Sequence, residues 1–220
     1  IEAGNHATSE VRVIPADDPD APPMLIAKRE EGVEYDIDHR DDRFYIRTNA
    51  DGAIDSKIVT APLDAPGREN WADYVPHREG AHILAFYVFR DFIVRLERRN
   101  ALPHVVVMKD DGQEYEIAFD EAAYAVSVTP GYEFDTRTLR LSYESPATPT
   151  ETYDYDRETR RRVLLKTKEI PSGHDKSRYE VERIEAQAED GAMVPVTILR
   201  LASTPLDGKA PVLLYGYGSH

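Results

Sequence analysis

Cysteine does not occur anywhere in the 220 residues. Disulfides, zinc–thiolate sites and cysteine nucleophiles are thereby excluded, and a reducing, cytoplasmic compartment is the expected location. Long apolar runs are missing as well. Nowhere do about 18 apolar residues follow one another, the length a membrane-crossing helix needs, so no membrane partner is expected. Ile1–Glu10 has no basic start and no apolar middle and does not read as a secretory leader. It also lacks an initiating Met, and the chain reads as an internal piece of a longer protein. Basic residues are outnumbered: 27 Lys and Arg against 41 Asp and Glu leave a formal charge of −14. That balance opposes binding to a phosphate backbone, so no nucleic acid is expected, while it permits cationic partners. Helical periodicity is scarce too, with only Asp120–Tyr124 hinting at a helical turn.

What is present is a period of two. Val33, Tyr35 and Ile37 alternate with acids. Phe92, Val94 and Leu96 alternate with Ile93, Arg95 and Glu97. Leu139, Leu141 and Tyr143 alternate with Arg140 and Ser142, and Val194, Val196 and Ile198 repeat the pattern. Such alternation predicts strands with one buried face. Asp51-Gly52, Asp111-Gly112, Pro130-Gly131 and Asp190-Gly191 punctuate the runs with turn signals, and strands joined by hairpins give antiparallel sheets.

A longer period overlies the short one. EYDIDHRDDRFYIRTNA, SKIVTAPL and ADYVPHREG form one unit from near Val33. ILAFYVFRDFIVRLERRN, HVVVMKD and EYEIAFD form a second from near His82. VSVTPGYEF, TLRLSYESPA, TETYDYD and RRRVLLKTKE form a third from near Ala125. Four strands in roughly 40–50 residues is the make-up of a propeller blade. SEVRVIPA and PPMLIAKRE read as the last two strands of a blade before these, so residues 1–168 are expected to hold about three and a half blades. From residue 169 to 220 the pattern changes. Ile170–Gly173 reads as a linker, YEVERIEAQAEDGAMVPVTILRL as a hairpin, and Pro211–Tyr215 as a short buried strand. A second domain is expected to open here, cut off after its third strand.

Few residues suggest chemistry. Two glycines flank Tyr217 at the end of the last apolar run. Glycine lets a backbone approach a ligand, and a phenol there is a good donor to a developing oxyanion; a packed tyrosine in a strand-end turn is the plainer reading. Ser219 beside His220 is not a dyad, since neighbours in extended chain face opposite ways. None of the seven histidines reads as a metal ligand. Asp36, Asp38, Asp41 and Asp42, and again Asp154, Asp156 and Glu158, form acidic patches, either solvated or drawing basic peptides inward. Arg160–Arg162 reads as a solvated strand end or as a contact between domains.

APVLLYGYGSH resembles the strand that opens the catalytic domain of the prolyl oligopeptidase family of serine peptidases. The blade stretches quoted above, with WADYVPHREG, RRRVLLKTKEIPSG and EDGAMVPVTIL, are most similar to its oligopeptidase B (protease II) branch, from about Glu34 onward. The resemblance implies a seven-bladed β-propeller capping an α/β-hydrolase domain, a Ser-Asp-His triad, short peptides as substrates, and cleavage after Arg or Lys. It implies the role of oxyanion-hole hydroxyl for Tyr217, with no cofactor. The nucleophile elbow G-x-S-x-G does not occur, so the triad is expected in the remainder of the parent chain, which is this piece's expected partner. A non-catalytic propeller module, a proline-specific peptidase of the same family and an esterase remain alternatives.

Overall fold

The computed structural model describes residues 1–216. Seventeen strands make four antiparallel sheets and a separate hairpin. The first sheet is β1 (Glu2–Gly4), β2 (Ser9–Val13) and β3 (Met24–Leu25). The second is β4 (Tyr35–Arg40), β5 (Arg43–Thr48), β6 (Lys57–Pro62) and β7 (Ala72–Val75). The third is β8 (Ala81–Val88), β9 (Phe92–Arg99), β10 (Leu102–Lys109) and β11 (Glu114–Glu116). The fourth is β12 (Ala125–Thr129), β13 (Thr138–Glu144), β14 (Glu151–Asp156) and β15 (Arg161–Thr167). Within each sheet the strands lie in chain order, each beside the one before it. The hairpin is β16 (Tyr179–Gln187) and β17 (Met193–Leu201).

Turn chemistry fixes this order. Two residues, Asn100 and Ala101, both with positive φ, join β9 to β10, the backbone twist a tight hairpin requires. Gly191, with φ of 88°, closes the β16–β17 hairpin as its Asp-Gly pair predicts.

Successive sheets pack face to face and enclose one apolar layer at each junction. Val11, Ile26, Phe44, Ile46 and Val59 fill the first. Tyr45, Ile58, Ile83, Phe86 and Ile93 fill the second. Phe92, Val94, Val105, Val107, Leu139 and Leu141 fill the third. Each of these large side chains contributes about 1.5–3 kcal/mol by leaving water. Neighbouring residues of one strand serve different junctions: Phe44 and Ile46 point back, Tyr45 points forward. The four-strand antiparallel sheets agree with propeller blades.

Four expectations need correction. The inner sheets are buried on both faces, because each lies between two others; Phe92, Ile93, Val94 and Arg95 are consecutive and all buried. The first sheet has a third strand, β1, and only Met24-Leu25 of PPMLIAKRE is strand. Asp120–Tyr124 forms bends, and the only helical turns among the described residues are single 3-10 turns at Ala50–Gly52, Arg68–Asn70 and Lys176–Arg178. Pro211–Tyr215 is not a strand: it has no ladder partner among the described residues, and Val212, Leu213, Leu214 and Tyr215 are 83–92 % exposed. An apolar segment becomes a buried strand only beside neighbours that accept its backbone bonds and cover its side chains.

Candidate functional site

Tyr217, the one residue that sequence reasoning assigned to chemistry, lies outside the described residues, as do Ser219 and His220. The chain approaches it through β17, a turn in which the Asp207 carboxylate accepts from the Lys209 N–H at 3.1 Å, and the exposed segment Val212–Tyr215.

The acidic patches are largely occupied by arginine. Asp36 sits directly across the β4–β5 ladder from Arg47 and pairs with it at 2.7 Å. Burial pushes the Asp36 carboxyl up, and Arg47 pulls the other way. The Asp38 carboxylate accepts from the Val88 N–H at 2.9 Å, fastening the second sheet to the third. Asp42 pairs with Arg43 at 3.0 Å. Asp154 faces Arg140 across its ladder at 3.0 Å, and Asp156 accepts from the N–H groups of Glu158 and Thr159. Asp36 and Asp38 therefore act in register and in joining sheets. A carboxylate neutralised by a fixed partner contributes little field at a distance.

The arginine run does the same. Arg160 lies over the ring of Tyr115 at 4.1 Å and Arg162 over Phe119 at 4.9 Å, so a strand of the fourth sheet stacks on the outer edge of the third. Arg157 covers Phe92 at 4.7 Å, and its carbonyl accepts from the Tyr115 hydroxyl at 3.0 Å.

Two histidines converge where their spacing gave no sign. His77 and His82 each come within 3.8 Å of the Asp55 carboxylate. Asp55 also accepts from the Gly80 N–H at 2.7 Å, and its own N–H donates to His77 at 3.3 Å. This knot secures the crossover from β7 to β8. No group of three or more His, Asp or Glu arranged to hold a metal occurs among the described residues. The ring nitrogen of His174 bonds the Ala147 carbonyl at 2.8 Å, and its ring stacks on Tyr179, tying the hairpin to the fourth sheet.

Sequence reasoning missed two buried charge groups. Arg40 donates to the carbonyls of Phe89 and Arg90 (3.1 and 3.2 Å), to the Tyr45 hydroxyl (3.1 Å) and to Asp110 (2.7 Å). Arg95 and Glu97, 4 % and 2 % exposed, pair at 2.8 Å on one face of β9. Arg95 also grips Glu114 with two bonds, and Glu97 holds Arg78 at 2.8 Å. This network lines a cleft of about 320 Å³ between β7 and the third sheet, with Tyr74 and Met108 as its apolar walls. The one available signal was an Arg-x-Glu-x-Arg alternation at 95–99, which reads as a solvated face until the next sheet is known.

Comparison with known proteins gives a consistent picture. Residues 1–168 match the family described as "Prolyl oligopeptidase, N-terminal beta-propeller domain". Dipeptidyl aminopeptidase BI of Pseudoxanthomonas mexicana is 43% identical over the whole chain, and Protease 2 of Moraxella lacunata is 31% identical. The solved oligopeptidase B of Trypanosoma brucei, with covalently bound antipain, superposes with a TM-score of 0.88 over 99% of this chain at 29% identity. The chain spans 30%, 31% and 32% of these three proteins respectively.

Proposed function

This chain belongs to the prolyl oligopeptidase family of serine peptidases, and on that premise we propose that it is the later part of a seven-bladed propeller joined to the opening of an α/β-hydrolase domain. Residues 1–168 are the blades and 169–220 the start of the catalytic domain. The observation that carries this reading is the reach of the similarity: the propeller match ends at residue 168, whereas two peptidases align with the chain throughout.

The parent enzyme hydrolyses short peptides in the cytoplasm, cutting after Arg or Lys, with the propeller limiting entry to small substrates. Acyl transfer by a Ser-Asp-His triad needs no cofactor. The triad stands on the remainder of the parent chain. Tyr217 supplies a hydroxyl to the oxyanion of the tetrahedral intermediate, alongside a backbone N–H near the nucleophile. The net charge of −14 favours basic over acidic peptides.

A second reading has its own support. The dipeptidyl aminopeptidase has a higher identity than Protease 2, which favours release of dipeptides from a free N-terminus. Fluorogenic substrates separate the two in the full-length parent. Cleavage of an N-terminally blocked Arg-linked peptide is the expected result. Cleavage confined to unblocked dipeptidyl substrates means the second reading. Turnover of Pro-linked peptides alone means the proline-specific branch, and no turnover of any of them means a binding module.

A further inference from the structure

Strands laid down in chain order send the connections of a sheet alternately to its two ends. In the third sheet the Asn100-Ala101 turn stands at one end, with the β8–β9 and β10–β11 turns at the other. In the fourth sheet the β13–β14 turn stands at one end, with the β12–β13 and β14–β15 turns at the other. The Asn100-Ala101 and β13–β14 turns share an end of the molecule. β11 runs back to the Asn100 end and continues into the crossover to β12, where the Glu121 carboxylate accepts from the Thr148 hydroxyl in the β13–β14 turn.

The hairpin takes hold of both turns. Tyr179, Val181 and Arg183 alternate along β16 on its less exposed face. Arg183 donates to the Asn100 carbonyl, which Asn100 and Ala101, with φ of 50° and 57°, fix at the tip of their turn. His174 meets the Ala147 carbonyl at 2.8 Å; a carbonyl only accepts, so Nε2 is the donor. The two holds differ in kind. The ring of His174 is stacked on Tyr179, 5.5 Å away with 18° between the planes, and earlier on the same linker the Lys168 N–H donates to the Thr150 carbonyl at 2.8 Å. Arg183 stands at the end of a long side chain and donates in an exposed position, where water competes for the bond.

We propose that the hairpin is a strap with a permanent pin at His174 and a releasable catch at Arg183, and that the catch governs the width of the opening between the sheets and the catalytic domain. Rotation about the pin draws Arg183 off the Asn100 turn, and re-forming the bond seats the hairpin across the third and fourth sheets again. With the catch engaged only short peptides pass; with it released longer ones do. Arg183 acts through the placement of a domain, as a positioning residue that sets the size limit of the substrate. The proposal rests on the reading of residues 169–220 as the opening of the catalytic domain.

The test uses the full-length parent. Small-angle X-ray scattering reads the separation of its domains. Two substrates read the opening: the short fluorogenic peptide that the parent cleaves fastest, and the same cleavage sequence carried on a long unstructured polypeptide. Arg183→Ala should enlarge the radius of gyration and raise kcat/KM for the long substrate relative to the short one by about two- to tenfold, the weight of one hydrogen bond, with Tm as in the native protein. Arg183→Lys, which keeps a donor, should restore both. His174→Phe, which keeps a ring for Tyr179 and loses the donor, should widen the spread of domain separations further. The proposal is overturned if either Arg183→Ala or His174→Phe scatters as the native protein does, or if Arg183→Lys behaves as Arg183→Ala does. It is overturned equally if Arg183→Ala slows both substrates alike and lowers Tm, the mark of a merely structural bond. A parent that cleaves neither substrate removes the peptidase reading, and the scattering then decides the strap by itself.

Discussion

The Tyr35 hydroxyl donates to the Ala27 carbonyl at 2.8 Å and, with the same oxygen, accepts from the N–H groups of Val11 and Ala27 at 2.9 and 3.2 Å. Tyr35 belongs to the second sheet and Val11 to the first, so one phenol satisfies three backbone groups at a junction that β2 and β3 leave open. Burial pushes the phenol's pKa up, with the two backbone bonds opposing. Tyr35→Phe keeps the ring and strands those groups out of reach of water. The expected cost is about 1–3 kcal/mol, read as a lowered urea midpoint with an unchanged slope. A midpoint equal to that of the native chain means that water reaches the junction.

Glu97 has a different kind of importance. Its side chain is buried among Arg78, Arg95 and Arg99, and removing it leaves the buried Arg95 with Glu114 as its one remaining carboxylate partner. Glu97→Ala should cost about 3–5 kcal/mol, as loss of one partner of a buried pair does. Replacing Arg95 by Met together with Glu97 by Leu should recover most of that loss. A double variant as weak as the single one would show that the network does more than compensate its own charges.

Glu114 sets part of the acid limit. The hydrogen bond from Arg95 holds its carboxyl below the ordinary glutamate value, with burial opposing. The unfolded chain then binds that proton more readily than the folded one. The contribution is complete above the unfolded value and is lost as pH falls through the folded value. Glu114→Gln should therefore flatten the dependence of Tm on pH in the acid range, with little slope change above about pH 6. An unaltered acid slope removes Glu114 from the account. Asp36, whose carboxyl is raised, contributes with the opposite sign.

Tyr217 is tested in the full-length parent. Tyr217→Phe should lower kcat by about 10²–10³ with little change in Tm, the loss typical of one oxyanion donor. Turnover equal to the native rate would return the residue to a packing role.

The short-range part of this fold was legible. The repeat of four apolar runs separated by turn signals located all twelve strands of the second to fourth sheets, because a strand's run and its turns are local properties. VSVTPGYEF, for instance, splits at Pro130-Gly131 into β12 and the turn toward β13. What escaped depends on which sheet lies against which. Arg40 meets the Phe89 carbonyl across 49 residues of chain, and nothing near Arg40 marks that partner. The pairing of Asp36 with Arg47 was recoverable, since the two are opposite one another once the Asp41-Asp42 turn fixes the hairpin register. Pro211–Tyr215, expected as a buried strand, is exposed, because burial belongs to the neighbours, which composition does not display. The candidate site was the least legible element: its one residue, Tyr217, was singled out through family resemblance, with flanking glycines as the only local sign.

Keeping every strand beside its predecessor has a consequence for how the chain comes into being. Among the described residues, the second, third and fourth sheets take no strand from elsewhere in the sequence. The second sheet has all its ladder partners by Val75, the third by Glu116 and the fourth by Thr167. Short separations between contacting residues lower the entropy lost before a contact forms. Each of these three sheets has all its ladder partners once its last strand is synthesised, so it can offer a finished face to the next one. That order favours accretion from the N-terminal side, each new sheet docking on the one completed before it.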